Sequence, residues 1–308
     1  MSEILKSLWS KLYAWALPSA LAIGAIWFFL APEFGGMQDF IDNLQDKESL
    51  VFFALTGVLA ISLSSLSTLL YRLLEGYLWP RWLQEWGLKR QRAKKEAFRS
   101  ALGGMGWRRG IALENLARFP KDDSQIVPTR FGNAIRSFET YGKTRFNLDS
   151  QTLWHELLAV APKYIQSEIE SARSSVDFFV ALLYLSFIFG VGSLVLGAIE
   201  HFKVKLILLG TLALLLATLC HWLAIRAVDA WSYPVHALVN LGRAKLADGL
   251  GLDLPASLEE EKTMWGLVTK YAYYADQHLG NALDTYRKAP AVESPQGSQD
   301  LQNSENSE

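Results

Sequence analysis

One apolar segment of the chain carries a polar stripe, and this stripe is the feature with the clearest chemical potential. Its members are Ser64, Ser65, Thr68, Arg72 and Glu75. At 3.6 residues per helical turn they fall within a sector of roughly 100°. Such a face could line a water-filled path across a membrane, where the charge of Arg72 would favour anions. The hydroxyls could instead form hydrogen bonds between packed helices, and the sequence leaves both interpretations open.

Residues that could support catalysis or bind a metal are isolated. His155 and Glu156 begin like a zinc-protease helix, but Ala159 stands where that motif needs its second histidine. His221 lies within an apolar segment beside Cys220, where an ionisable group is a candidate for function or for an interfacial structural role. The chain has no Walker motif, no nucleophile elbow and no Cys/His cluster. We therefore predict that it is not an enzyme and uses no metal or cofactor.

A glycine-rich segment with two arginines, residues 103–110, could bring backbone N–H and guanidinium groups close to a phosphate. A dinucleotide-binding fingerprint, however, needs a strand before its glycines, and the residues preceding this segment have a helical pattern. We interpret the segment as a turn between two helices.

A basic, aromatic pattern follows the second apolar stretch. The set that we predict to contact lipid headgroups is Trp82, Trp86, Lys89, Arg90, Arg92, Lys94 and Lys95. A basic helix with aromatic residues at a membrane exit is typical of a segment lying among anionic headgroups. A solvated helix end that merely follows the positive-inside rule is the alternative.

Four uncharged stretches, here called spans 1 to 4, must position these residues. They are Leu12–Leu30, Leu50–Tyr71, Phe178–Ile199 and Leu206–Ile225. Each can cross a hydrocarbon core of about 30 Å, which needs roughly 20 helical residues. Small residues at helical spacing favour close packing in a compact bundle and the formation of oligomers. They are Ala16, Ala20 and Gly24 in span 1, and Ser186, Gly190, Ser193 and Gly197 in span 3.

The charges beside the spans predict the orientation. Lys and Arg precede span 1 and follow spans 2 and 4, and positive flanks stay on the cytoplasmic side. We therefore expect an inner-membrane protein with both termini in the cytoplasm. Only Ala31–Ser49 and Glu200–Lys205 would face outward, although Lys203 and Lys205 depart from the charge rule.

Helical patterns outside the spans predict a cytoplasmic helical domain from residues 80–176 and 227–288. Lys163–Ile199 should form one helix of about 37 residues, roughly 55 Å long, that carries this domain into span 3. Pro162 suits the first turn of that helix. Pro80 should end or kink the span-2 helix, and Pro234 should end the span-4 helix. Residues 289–308 are rich in Ser, Gln, Asn and Glu and should be disordered.

Shorter helices should complete this domain. The predicted ranges are Ile111–Phe119, Thr129–Tyr141, Asp149–Ala161 and Val235–Ala247. Gly142 is expected to cap the second of them. Ser257 and Glu260 form a capping-box pattern that opens a long final helix, with an apolar seam from Trp265 to Tyr286.

A family resemblance rests on one motif in the central loop. The motif residues are Pro128, Thr129, Arg130, Gly132 and Asn133. They resemble the Pro-Thr-Arg-Leu-Gly-Asn stretch of uncharacterised bacterial four-span membrane proteins, and the similarity extends to Trp265. Asn147 departs from the Tyr-Gly of that family, and His155-Glu156 departs from its Pro-Arg. The family has no established activity, so the resemblance implies architecture alone.

Together these patterns predict an all-α membrane protein with four transmembrane helices and a helical cytoplasmic domain. The expected function is that of a homo-oligomeric, channel-like or signal-transmitting protein gated by this domain. A non-conducting scaffold that recruits a cytoplasmic partner is the alternative. The expected partners are anionic lipids, further copies of the chain, and a cytoplasmic protein or small molecule. We expect no nucleic-acid partner.

Overall fold

The computed structural model describes residues 3–44, 47–200 and 203–288, with side chains from Tyr13 onward. The helices are α1 Glu3–Ala25, α2 Gly35–Asp42, α3 Glu48–Ser65, α4 Ser67–Glu75, α5 Arg81–Ala101, α6 Trp107–Ala117, α7 Arg130–Glu139, α8 Tyr141–Phe146, α9 Trp154–Val160, α10 Lys163–Ile199, α11 Val204–Gly249, α12 Leu258–Tyr274 and α13 Gln277–Leu283. A π-helical turn at Ile26–Leu30 and 3₁₀ turns at Ala31–Glu33, Asp123–Gln125 and Asp284–Tyr286 complete the described elements. The predicted disorder of residues 289–308 lies outside the described residues.

The predicted all-helical membrane architecture is confirmed at this level. Four helical segments are long and apolar enough to cross a bilayer, and each overlaps one of spans 1 to 4, although the second ends at Ser65 and not at Tyr71. Within the described ranges, the antiparallel bridge between Leu252 and Arg287 is the only strand-like pairing. The described residues therefore form an all-α protein with four helices that can span a membrane.

The principal contacts among the spans run in series, from α3 to α1, from α1 to α10, and from α10 to α11. One protomer thus forms an open layer instead of the compact bundle expected from its small residues. The reason is that α3 buries a single face, formed by Thr56, Ala60 and Leu63, against α1. On another side of α3, Phe53, Val58 and Ile61 are 65–70% exposed.

Small residues bring α10 and α11 close together, as predicted. The buried members in α10 are Ser186, Gly190, Ser193 and Gly197. A Cβ atom on Gly190 would lie 3.0 Å from the carbonyl oxygen of Gly210, and one on Gly210 would lie 2.7 Å from Leu194. Only glycine permits this approach of two backbones.

Both of these helices are much longer than the roughly 20 residues that cross a hydrocarbon core. Helix α10 has the predicted 37 residues, and Pro162 precedes it as the N-cap instead of lying in its first turn. Helix α11 has 46 residues and continues through Pro234, so the predicted end there and the separate helix Val235–Ala247 are wrong. Pro234 removes one backbone donor, but burial of Val228 and Val235 on either side holds the helix together.

Ion pairs connect the two short loops at one end of the layer. Lys205 Nζ lies 2.7 Å from Glu33 Oε1, and Lys203 Nζ lies 3.4 Å from Glu33 Oε2. These contacts place the end of span 1 beside the start of span 4. Lys203 also pairs with Glu200 at 3.8 Å, so two carboxylates balance the two lysines that departed from the charge rule.

At the other end of the layer, α7, α8, α9 and α12 pack around the extensions of α10 and α11. Their shared core includes Phe131, Leu157 and Trp265 with Val176 and Leu238 of the two long helices. We call this part the helical domain. In the described ranges its core is shared with the long helices.

Several helices end at positions other than the predicted ones. They end at residues in the left-handed backbone conformation, and not at prolines. Gly76, at φ 92°, ends α4 before Pro80 is reached. Asn147, at φ 59°, ends α8, whereas Gly142 lies within that helix. Ala275, at φ 48°, divides the predicted final helix into α12 and α13. Ser257 caps α12 as predicted, accepting a hydrogen bond from the Glu260 N–H at 3.2 Å.

The predicted ranges of the short helices also shift. Helix α6 begins and ends earlier than Ile111–Phe119, and α7 ends at Glu139 because the chain restarts as α8. Helix α9 starts only at Trp154, since the Asp149 carboxylate accepts hydrogen bonds from the Gln151 and Thr152 N–H groups and forms a turn.

Candidate functional site

The polar stripe lies on a helix that is interrupted. Leu66, at φ −86° and ψ −1°, separates α3 from α4. Just before it, the Ser62 and Ser65 hydroxyls donate to the carbonyl oxygens of Val58 and Ile61, at 2.7 and 2.9 Å. Hydroxyls that bond back by one turn compete with the helical ladder and bend helices. The serines therefore account for the break within span 2.

One protomer does not bury the stripe. Ser64, Ser65, Thr68 and Arg72 are exposed, and Glu75 is half-buried. Within the described residues, the Thr68 hydroxyl and the Arg72 guanidinium form no hydrogen bond or ion pair. The hydroxyls consequently do not join helices inside the described chain.

At the C-terminal end of the stripe, Glu75 lies close to a second carboxylate, that of Glu139. Burial, together with the charge of Glu139, raises the pKa of Glu75 to about 7, against the opposing charges of Arg136 and Arg72. Arg136 is already engaged, because it pairs with Glu139 at 3.1 Å and donates to Gln125 at 3.0 Å. Glu75 is therefore the member of the stripe that can change charge near neutral pH.

Just beyond Glu75, the chain packs closely against the Pro128 motif. A Cβ atom on Gly87 would lie 2.7 Å from Pro128 Cβ and 2.8 Å from its carbonyl oxygen. A Cβ on Gly132 would lie 3.1 Å from the backbone of Glu75, and one on Gly76 would lie 3.0 Å from Pro128 Cβ. We call this contact of Gly76, Gly87, Pro128 and Gly132 the glycine junction. It fixes the end of span 2 to the start of α7.

Thr129 and Asn133 hold the motif in this shape. Thr129 Oγ1 accepts from the Gly132 N–H at 2.9 Å and donates to the Glu75 carbonyl at 3.2 Å. The Asn133 side chain, 1% exposed, accepts from the Val127 N–H and donates to the carbonyl oxygens of Val127 and Thr129. Four of the five motif residues are thus structural, and Arg130 differs from them in lying at an exposed surface.

A second connection joins span 2 to α10. The Tyr71 hydroxyl donates to Asp177 at 2.8 Å, and the Tyr184 hydroxyl donates to the Leu70 carbonyl at 2.8 Å. Tyr71 and Asp177 are 106 residues apart, so no local pattern in the sequence indicates the contact. Helix α4 is therefore tied to both α7 and α10.

A polar cleft of about 380 Å³ opens beside this connection. Ser64 and Ser67 line one wall, and Arg173 and Asp177 of α10 line another. Trp231 also lines the cleft, and its indole N–H has no hydrogen-bond partner among the described residues. The cleft is large and polar enough to admit water to Ser64, the member of the stripe that lines it.

The predicted headgroup set divides into three groups. Trp82, Trp86, Lys89, Arg90 and Arg92 are exposed on α5, and the Arg90 guanidinium lies over the Trp86 ring at 5.2 Å. Lys94 is half-buried in a cleft. The assignment of Lys95 to headgroups is contradicted: it is 4% exposed, and its Nζ donates to the Pro120 carbonyl at 2.5 Å and pairs with Asp123 at 2.6 Å. The regular i, i+4 spacing that buries Gly87 and Gln91 also buries Lys95.

His155 and Glu156, the start of the zinc-protease pattern, lie on the protein surface, on α9. In the parts of the chain that the structure describes, no three His, Cys, Asp or Glu side chains converge as metal ligands.

Comparison with protein-family models, curated proteins and solved structures finds no match to this chain. The resemblance to the four-span family stays a prediction. Function has to be inferred from the open face of span 2 and from the elements that hold it.

Proposed function

We propose that the chain forms a homo-oligomeric membrane protein in which span 2 lines a path controlled by the helical domain. One observation carries the proposal: the interrupted, polar face of α3 and α4 is left open by its own protomer. The path would connect to the cytoplasm, on the side where the Lys and Arg flanks lie.

Polar groups are costly in lipid, and this cost supports the proposal. Backbone that leaves the helical ladder at membrane depth is tolerated only where protein covers it or water reaches it. The break at Leu66 and the stripe beside it therefore need either another copy of the chain or water. A ring of copies around a wet path supplies both. Arg72, on the same face, would select anions.

Two sets of contacts on α4 support control by the helical domain. Helix α10 carries Asp177, which holds Tyr71, and the glycine junction fixes the end of α4 to α7. A rotation of α7 or α10 would therefore displace α4 about the break at Leu66. A ligand or partner that favours one position of the domain would shift the population of the open path.

The alternative function, a non-conducting scaffold, is favoured by a different surface. Met105, Trp107, Ile111 and Leu113 are exposed around α6, between 46% and 91%. An apolar surface of this kind is suited to a protein partner. In a scaffold, the stripe would be buried in a dry contact between copies.

Ion flux through liposomes containing the purified protein tests the proposal. Wild-type protein should release chloride faster than potassium, and Arg72→Glu should reverse that preference. Arg92→Glu is the matched control, because Arg92 is exposed on α5 outside the stripe. No flux from wild-type protein, or the same preference in both variants, would favour the scaffold.

A further inference from the structure

A second cleft, distinct from the polar cleft, lies where the helical domain meets the end of span 4. It has a volume of about 240 Å³ and is lined by Lys94 and Phe98 of α5, Arg118 next to α6, Arg130 of α7 and Ile225 of α11. We call it the basic cleft. It continues past Arg130 into a neighbouring space that is lined by Trp222 and Arg226. Ile225 is the last residue of span 4, so the cleft lies at the level of the lipid headgroups.

Two of the cations around the basic cleft are neutralised inside the protein. Arg118 donates to both carboxylate oxygens of Asp229 at 2.9 Å and pairs with Glu114 at 2.6 Å. Arg226 pairs with the same Glu114 at 2.9 Å. These hydrogen bonds lower the pKa of Glu114 and keep it ionised. The two carboxylates are thus occupied by Arg118 and Arg226.

Lys94 and Arg130 have no such partner. Neither forms an ion pair or a hydrogen bond to any residue in the described ranges, although Lys94 is half-buried. Burial lowers the pKa of Lys94, and the charges of Arg90 and Arg130 lower it further. Arg130 is also the first residue of α7, where the helix dipole is already positive. Lys94 and Arg130 therefore repel each other, and binding of an anion between them would relieve this repulsion.

We infer that the basic cleft binds a phosphate group through Lys94 and Arg130. The guanidinium of Arg130 can bind two phosphate oxygens at once, and the Lys94 ammonium supplies a compact charge beside it. Phe98 and Ile225 offer an apolar wall for an attached chain. A basic pocket beside a spanning helix at this depth is the arrangement that recognises phospholipid headgroups. The same chemistry would also accept a free phosphate, and the site requires no conducting path.

Calorimetric titration of the full-length protein in detergent tests the site. The probes are dioctanoyl phosphatidic acid, inorganic phosphate and dioctanoyl phosphatidylcholine, whose phosphate carries a compensating cation. We expect phosphatidic acid to bind more tightly than phosphatidylcholine. Lys94→Gln and Arg130→Gln should each weaken that binding about tenfold, since each removes one charge-assisted contact. Arg130→Lys should retain more affinity than Arg130→Gln.

Lys245→Gln is the matched control, because it removes an exposed cation of α11 that lies outside both the basic cleft and the headgroup set, and it should change affinity less than about twofold. Binding of phosphatidic acid alone identifies a lipid headgroup as the ligand, whereas equal binding of inorganic phosphate identifies the free anion. No binding of either anion, or equal losses from Lys94→Gln and Lys245→Gln, would overturn the inference.

A measurement on wild-type protein removes any dependence on the folding of variants. The lowered pKa of Lys94 makes it reactive towards acetic anhydride, and mass spectrometry of peptides measures the extent of acetylation at each lysine. Phosphatidic acid should protect Lys94 several-fold and leave the exposed Lys245 unchanged. Equal modification of Lys94 with and without both anionic probes would contradict the site.

Discussion

Replacement of Gly87 by alanine sets two physical effects against each other. Gly87 lies inside α5, where alanine is favoured over glycine by about 0.5–1 kcal/mol. The new methyl group, however, would lie 2.7 Å from Pro128 Cβ, 2.8 Å from its carbonyl oxygen and 3.1 Å from its Cα. Two of these atoms are backbone, so the clash cannot be relieved by a side-chain rotation.

Overpacking of this kind costs about 1–3 kcal/mol, and contact with backbone favours the upper part of that range. After the gain in helix propensity, Gly87→Ala should lower the free energy of unfolding by about 1–2 kcal/mol. The assay is denaturant unfolding of the full-length protein in detergent micelles, followed by tryptophan fluorescence and circular dichroism.

Gly110→Ala is the matched control. Gly110 lies inside α6, and no atom lies within 4 Å of the position that an added Cβ would take. This variant should therefore gain about 0.5–1 kcal/mol from helix propensity alone. If Gly87→Ala is as stable as Gly110→Ala, the glycine junction does not hold span 2 against α7.

Three further predictions concern neighbouring elements. Asn133→Ala should destabilise the protein by about 2 kcal/mol in the same unfolding assay, because it leaves the buried N–H and carbonyl of Val127 without partners, whereas the Thr129 carbonyl keeps the Asn133 N–H at 3.1 Å. Unchanged stability would contradict that role. Ala275→Gly should stabilise by about 0.5–1 kcal/mol, since glycine adopts the left-handed conformation at φ 48° without strain; a loss of stability would refute the reasoning. Glu75, with its pKa raised from 4.5 to about 7, binds a proton more readily when folded, so its contribution to stability is largest below pH 4.5 and falls as the pH rises towards 7. Glu75→Gln should flatten this part of the stability profile, and an unchanged profile would assign the slope to another group.

The sequence was most informative where one local pattern controlled the structure. The four spans follow from uninterrupted apolar runs, and the full length of α10 follows from the absence of a breaker after Pro162. The small residues of span 3 were correctly assigned to a packed face, because helical spacing places them together. Ser257 was recognisable as a cap from its own side chain and that of Glu260.

The remainder depends on contacts between residues that are distant in the sequence. Pro234 remains within α11 because residues on both sides of it are buried in the shared core. Lys95 looked like its basic neighbours, and only the position of Asp123 and of the Pro120 carbonyl shows that it is structural. Gly76, Gly87 and Gly132 have no common local pattern, yet all three approach the Pro128 motif.

The candidate site was predictable only in part. The angular arrangement of the polar stripe could be calculated from helical spacing, but its exposure depends on the open layer of spans. The basic cleft gathers cations from α5, α7 and α11, and the sequence shows these only as separate charges.

The central claim is that the face of span 2 carrying the stripe meets water, and cysteine accessibility tests it most directly. Ser65→Cys and Leu219→Cys, each in a Cys220→Ala background, place a thiol six residues inside the end of span 2 and of span 4 respectively. Both positions are exposed on one protomer and lie at matched depth. We predict that a charged, membrane-impermeant thiol reagent applied to both sides of the membrane modifies the cysteine at position 65 and spares that at 219. Protection of both cysteines, or equal modification of both, would contradict a water-lined path along span 2.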